Sequence, residues 1–332
     1  DWKELYAIAK KQCLVGVLFD GIKKLPAEHV GMKKELLLQW MTESQMLEKT
    51  NIRLNDAAIH VSEWFRKKGF RTCILKGQGN ALMYPNPYSR TPGDIDIWVE
   101  GGDNRVISFV RSISPHEKAC YHHIEFPSYK GIEVEVHYRP SFLLCFWHNR
   151  KLQKYYERVK EEQFSHRVML GKEGEVAIPT AEFNVIFQLT HIFSHLMNEG
   201  IGLRQLLDYY YVLISDDLLL IRDRVQKKLK ELGLWKFAGG IMYIMQEVFG
   251  MPASQLIIPP NEKYGKFVLN EVLEAGNFGK HDERYWFGKS KLGHNLQRVY
   301  RDIRLVTYFP AEALCEPIFR TWHFFWRMKN KK

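Results

Sequence analysis

Apolar residues recur at helical spacing over the first seventy positions. Leu5, Ile8, Ala9, Cys13, Leu14 and Leu18 follow a helical period until Leu25-Pro26 interrupts it. Leu36, Leu37, Trp40, Met41, Leu47, Ile52, Leu54, Ala58, Val61 and Phe65 then predict a second helix from about Met32 to Lys68. That run is long for a globular helix, and a break near Asn51 is the alternative to one continuous rod. After Gly69 the period changes. Cys73, Ile74 and Leu75 read as a short apolar strand, and Lys76-Gly77-Gln78-Gly79 as a turn leading into a brief helical segment and a proline-broken loop. A second strand follows, on which Asp94 and Asp96 share one face and Ile95 and Ile97 the other.

Gly101-Gly102 makes a turn, and Asn104 to Ile113 reads as a helix ended by Pro115. Lys118 to Phe126 alternates as a strand, Pro127 to Gly131 turns the chain, and Ile132 to Tyr138 returns antiparallel as a hairpin. Between Trp147 and Pro179 the sequence is polar, with a hairpin pattern in HRVMLGKEGEVAIP. Pro179-Thr180 and Glu182 mark a helix start, Leu203 to Leu213 forms another helix, and from Asp216 onward the pattern is helical with turns at Gly233, Gly250-Met251-Pro252 and Pro259-Pro260. The expected organisation is an N-terminal helical segment (1–69), an α/β core (70–146), a connector with a hairpin (147–179) and a C-terminal helical domain (180–332). The fold class is α+β, a small mixed sheet flanked by helices.

Chemistry concentrates between Lys76 and His137. Two carboxylates on one strand face repel each other unless a cation sits between them, and Mg²⁺ takes such oxygen ligands together with substrate phosphates. A bare Asp-x-Asp is also what an ordinary half-exposed strand carries. The surroundings add to the first reading: Gly77 and Gly79 permit close approach of backbone to a phosphate, and Lys76 and Arg90 bracket the loop with positive charge. On the later strand Glu133, Glu135 and His137 share a face, supplying a third acid.

The run LKGQGNALMYPNPYSRTPGDIDIWV, followed by VEVHYRP and by IPTAEFNVIFQLTHIFSHLMNEGIGLRQLLDYYYVL, resembles the nucleotidyltransferase family NTP_transf_5, of the DNA polymerase β-type superfamily, over roughly Glu43 to Leu213. The resemblance implies a nucleotidyltransferase core and Mg²⁺-dependent transfer of a nucleoside monophosphate from an NTP to a hydroxyl or phosphate acceptor, with release of pyrophosphate. It makes Asp94, Asp96 and Glu135 the catalytic acids holding two Mg²⁺ ions. It places Lys76, Gly77, Gln78, Gly79, Ser89, Arg90 and His137 around the nucleotide, with His195, Arg204 and Asp208 of the later helices as further cleft residues. The acceptor could be a small molecule, a protein or an RNA. Two departures stand out: Gln78 follows Gly77 where the superfamily has glycine or serine, and the third acid is a glutamate. They leave open a non-catalytic nucleotide- or nucleic-acid-binding module of the same fold. Gln78 through its amide, or Ser89, could replace the missing hydroxyl.

Other histidines keep more than one reading each. His122 and His123 are phosphate or base contacts, or surface imidazoles on an edge strand. His191 and His195 lie four apart on one helix face and are helix-packing or cleft residues or a zinc pair, but no glutamate follows His191 in the zinc-hydrolase manner and no third ligand is obvious. Arg204 and Asp208, also four apart, could equally be a surface ion pair.

Composition sets outer bounds. The 332 residues are 45% hydrophobic and 26% charged, and no apolar run is long enough to span a membrane. The opening DWKELYAIAKKQ does not read as a signal peptide. Five cysteines without a CxxC pair argue against a zinc ribbon or disulfide framework and favour a cytoplasmic setting. Much of the net charge of +10 lies from Arg284 to Lys332, where eleven lysines and arginines face Asp302, Glu312 and Glu316. That suits a polyanionic substrate, or is a solvated basic tail. Tyr300, Arg301, Arg304, Tyr308, Trp322, Phe325, Trp326 and Arg327 suit either base stacking or an amphipathic helix with an aromatic core face.

Overall fold

Helices α1 (Trp2–Lys11), α2 (Val15–Ile22) and α3 (Lys34–Lys67) open the chain in a computed structural model. It describes residues 1–26, 31–171, 174–214, 218–279 and 291–330. Asp1 caps α1 by accepting from the Lys3 N–H at 2.7 Å. Tyr6, Phe19 and Trp40 form the core of this corner, and the Trp40 indole donates to the Val15 carbonyl at 2.8 Å. α3 runs unbroken for 34 residues. Asn51, its suspected weak point, is fully buried, and its amide donates to the carbonyls of Tyr88 and Arg90, each at 2.8 Å. Because that side chain is spent on a neighbouring loop, it does not compete with the helix's own backbone.

The sheet follows. β1 (Thr72–Ile74), a short α4 (Gln78–Ala81), a 3₁₀ turn (Pro87–Ser89), β2 (Ile95–Val99), α5 (Gly102–Ile113), β3 (His123–Tyr129) and β4 (Ile132–His137) give a four-stranded sheet in the order β1-β2-β4-β3. β2 is buried along its whole length, pairs antiparallel with β1 and parallel with β4, and its register places Asp96 beside Glu135 and Trp98 beside His137. Ile74, Ile97, Val99, Val134 and Val136 supply the apolar layer, with Phe65 of α3 buried as well.

Two expectations need correction. The strand expected over Lys118–Phe126 begins only at His123, preceded by an isolated bridge between Ala119 and Ile124, and it continues through Pro127 to Tyr129. Proline is tolerated there because β3 lies at the sheet edge. The turn is confined to Lys130 and Gly131, whose positive φ values (51° and 79°) suit a two-residue hairpin connection. The polar stretch after Trp147 is mostly α6 (Phe146–Ser165), 20 residues long. Its charges mask the buried apolar residues Leu152, Tyr155, Tyr156 and Phe164. The hairpin that follows is present as β5 (Arg167–Leu170) and β6 (Gly174–Ala177).

The rest is helical: α7 (Ala181–Asn198), α8 (Leu203–Leu213), α9 (Leu218–Glu231), α10 (Trp235–Glu247), α11 (Glu262–Ala275), α12 (Lys291–Val306) and α13 (Pro310–Lys329). The chain forms two compact units. The first comprises Asp1–Glu117, Glu125–Tyr138 and Glu162–Pro179; the second comprises Lys118–Ile124, Arg139–Glu161 and Thr180–Lys332. α7, apolar on nearly every face, is buried in the second unit, where Phe193 packs on Phe237 with ring centroids 4.4 Å apart. Ser141, Tyr156 and Thr190 close a hydroxyl network there with contacts of 2.5 to 3.1 Å. Of the basic segment, Arg284, Lys289, Lys331 and Lys332 lie outside the described residues. Tyr308 stacks on Phe267 at 3.7 Å and Arg304 pairs with Glu271, whereas Tyr300, Trp322 and Phe325 are exposed. Among the described residues no helix is long and apolar enough to cross a membrane.

Replacing Asn51 by alanine strands the Tyr88 and Arg90 carbonyls in a buried setting and should cost about 2–4 kcal/mol. A lowered urea midpoint is the expected result, with Asn51→Asp, which keeps the size but loses the donor, at least as unstable.

Candidate active site

The loop between β1 and β2 is fixed before any side chain reaches the site. Leu75 N–H donates to the Asp96 carbonyl at 3.0 Å, extending the β1–β2 pairing by one residue. The chain then turns at Gly77 with φ +62° and ψ −107°, a conformation strained for any residue with a Cβ. Gly77 lies close to the backbone entering β2, since a Cβ there would sit 3.6 Å from the Asp94 carbonyl oxygen. Gly79 packs on Ile178, which a Cβ would meet at 3.1 Å.

Three acids converge opposite this turn. Asp94 immediately precedes β2, Asp96 lies within it, and parallel pairing brings Glu135 of β4 alongside. One carboxylate oxygen from each lies within 4.8 Å of the others. Asp96 is buried, and its Oδ1 receives two cationic partners, Lys76 Nζ at 3.1 Å and His137 Nε2 at 3.0 Å. His137 Nε2 also lies 3.4 Å from Glu135 Oε2. The other Asp96 oxygen, Oδ2, is buried without a hydrogen-bond partner.

Protonation follows from this arrangement. Burial alone would raise the Asp96 pKa, but the Lys76 ammonium and the His137 hydrogen bond outweigh it and hold the carboxyl below its ordinary range. Burial would likewise lower His137, yet hydrogen bonds to Asp96 and Glu135 push its pKa up to about 9. Lys76 is raised: the charges of Asp96, Asp94 and Glu135 overcome the opposing effect of burial. Asp94 is raised by repulsion from Asp96 and then by burial. The site thus joins an ionised Asp96 to two protonated cationic side chains.

Other expected site residues turn elsewhere. The Gln78 amide nitrogen donates to Asn55 Oδ1 and to the Asn51 carbonyl on α3, and Ser89 Oγ donates to the Asn86 carbonyl at 2.8 Å. In this structure both donors are engaged in holding the loop. Arg90 is buried and donates from Nη1 to the Thr91 carbonyl at 3.3 Å, while its own carbonyl is held by Asn51. His195, Arg204 and Asp208 belong to α7 and α8 of the second unit. Arg204 and Asp208 are buried there, so the exposed ion-pair alternative is removed, and His195 Nδ1 lies 3.4 Å from Glu199 Oε2. Among the described residues, the three-membered groups of potential metal ligands do not include His191 or His195. Sequence reading missed Asn51 and Asn55, which grip the loop; their signal was two amides four apart within the apolar stripe of α3.

His137 carries a pH signature in metal-free protein. Its folded pKa of about 9 exceeds the ordinary histidine value of 6.5, so its stabilisation is complete below about pH 6.5 and is lost as pH rises through 9. Urea midpoints measured with EDTA should fall across that window in the wild type, and this component should be missing from His137→Gln.

The sequence profile of the family described as "Uncharacterised nucleotidyltransferase" (NTP_transf_5) matches residues 1–250. Among solved structures, the chain is similar to an antigenic nucleotidyltransferase-like protein from Paracoccidioides brasiliensis, at 14% identity over 54% of this chain and 90% of that one, with a TM-score of 0.29. It is also similar to the Thermotoga maritima CCA-adding enzyme complexed with tRNA, at 10% identity over 79% of this chain and 77% of that one, with a TM-score of 0.20. No curated protein matches the chain significantly. The family match spans well over half of the 332 residues and includes the whole acid cluster, and the chain therefore belongs to this family of nucleotidyltransferases.

Proposed function

We propose that the chain transfers a nucleoside monophosphate from an NTP to an acceptor hydroxyl or phosphate in a Mg²⁺-dependent reaction centred on Asp94, Asp96 and Glu135. The observation that carries this reading is the convergence of three carboxylate oxygens within 4.8 Å, with the second oxygen of Asp96 buried and unpartnered. An all-oxygen donor set suits a hard cation, and an orphaned buried carboxylate oxygen is costly unless a ligand completes it. Asp94, Asp96 and Glu135 would hold two such ions, which when bound supply charge neutralisation for the phosphates and lower the pKa of the acceptor oxygen.

The remaining work falls to the chain's own groups. His137 and Lys76 anchor Asp96 Oδ1, which leaves Oδ2 as the oxygen available to a cation. Lys76 is itself a candidate partner for phosphate oxygens, and the Gly77 turn lets backbone approach them closely. In the reaction the acceptor oxygen bonds to the α-phosphorus, the bond from that phosphorus to the bridging oxygen of the β-phosphate breaks, pyrophosphate leaves, and a hydroxyl acceptor loses its proton to solvent. Such chemistry rests on positioning and electrostatics more than on a general base. Small molecules, protein side chains and RNA remain the acceptor classes to compare.

Purified protein incubated with each NTP, Mg²⁺ and separate small-molecule, protein and RNA fractions of a lysate should release pyrophosphate and leave a nucleotidyl mass shift on a component of one fraction. Asp96→Asn and Glu135→Gln should each lower release at least about 100-fold while unfolding cooperatively, and EDTA should abolish it. Undiminished turnover in Asp96→Asn would overturn the proposal, and wild-type protein that binds NTP without turnover on any fraction would support the non-catalytic module instead.

A further inference from the structure

A second group of metal-type donors lies in the helical unit, and nucleotidyl transfer has no use for it. Cys145 immediately precedes α6 and His148 follows three residues later; at the start of α13, Glu312 and Cys315 have the same separation. These two helix starts meet. Ligand atoms of Cys145, His148 and Glu312 lie within 4.8 Å of one another; the Cys315 thiol is outside that group of three but neighbours the Cys145 thiol.

The donors are also held in place. Glu312 Oε2 accepts from the backbone N–H groups of Leu144 at 2.6 Å and Cys145 at 3.0 Å, which orients Oε1 toward His148 Nδ1 at 3.3 Å. The imidazole also lies against Gly233, where a Cβ would come within 2.4 Å of Cε1, 2.6 Å of Nε2 and 3.0 Å of Nδ1. Cys145 and Glu312 are buried, while His148 and Cys315 are partly accessible and leave a route from solvent.

We propose that Cys145, His148, Glu312 and Cys315 form a structural zinc site that joins the N-terminal ends of α6 and α13. Two thiolates, an imidazole and a carboxylate are a four-ligand set for Zn²⁺, whereas Mg²⁺ prefers oxygen alone. Zn–S near 2.3 Å and Zn–N or Zn–O near 2.1 Å imply ligand-to-ligand separations of roughly 3.4–3.8 Å in a tetrahedron, so the three grouped donors need to close by up to roughly 1.4 Å, with Cys315 drawn in as the fourth. The two backbone N–H groups on Glu312 are the outer contacts that hold a ligating carboxylate in orientation. Thiols bind zinc as thiolates, so loading Zn²⁺ should release protons and tighten as pH rises. The pairing of Cys-x2-His with Glu-x2-Cys escapes a search for CxxC.

The test uses full-length protein made in zinc-supplemented medium, in the Asp96→Asn background so that the acid cluster does not contribute. After dialysis against a weak chelator, elemental analysis should find about one zinc per chain. His148→Ala and Cys315→Ser should each weaken retention at least about tenfold. Cys145 and Cys315 should resist a thiol reagent until a strong chelator is added, and replacing zinc by Co²⁺ should produce a thiolate-to-cobalt charge-transfer band. Cys315→Ser carries the test if His148→Ala does not fold, because Cys315 is only partly buried. Folded parent protein without zinc, undiminished retention in both single variants, or a Cys145–Cys315 disulfide in zinc-replete protein would each overturn the proposal.

Discussion

A buried carboxylate that stays ionised is the constraint around which the first unit is arranged. Asp96 lies on a strand that is buried along its whole length, and removal from water disfavours its charge. Lys76 and His137 offset that cost on one oxygen and leave the other without a protein partner. Breaking such a buried network by removing one member costs more than a surface ion pair of the same length, because the charge left behind has no water to turn to.

The backbone around Asp96 serves this arrangement. Parallel pairing sets Glu135 beside Asp96, and a slip of one residue in β4 would move Glu135 and His137 to the opposite face and expose their apolar neighbours. Asn51 and Asn55 of α3 hold the intervening loop through its carbonyls and through Gln78, which explains why a helix of 34 residues is unbroken at an asparagine. Gly77 completes the arrangement by turning the chain at a positive φ of 62° that a residue with a Cβ adopts only under strain.

Under the two proposals, one chain separates two metal chemistries by ligand type. The sheet unit gathers carboxylate oxygens suited to exchangeable, hydrated cations that meet a substrate. The helical unit gathers thiols, an imidazole and a carboxylate suited to a closed, permanent site. The contrast lies in donor softness and access: Glu135 keeps about a third of its side chain accessible, while Glu312 is enclosed by backbone N–H groups.

By itself the sequence determined the α+β class, the long helix, the Asp-x-Asp strand and the third acid on a later strand. Alternation on a strand and helical periodicity are local properties, readable from side chains two to four positions apart. It also carried the family resemblance, on the glycine turn and the acidic strands. Tertiary structure alone decided that Lys76 and His137 share Asp96 Oδ1, and that Gln78 and Ser89 hold the loop. It likewise decided that Pro127 sits within an edge strand and that the charged stretch after Trp147 is largely a helix with a few buried residues. Only the folded chain brings Cys145 and His148 to Glu312 and Cys315, more than 160 positions away. These outcomes depend on which distant groups satisfy one another's buried hydrogen bonds and charges, and no local period along the chain encodes that.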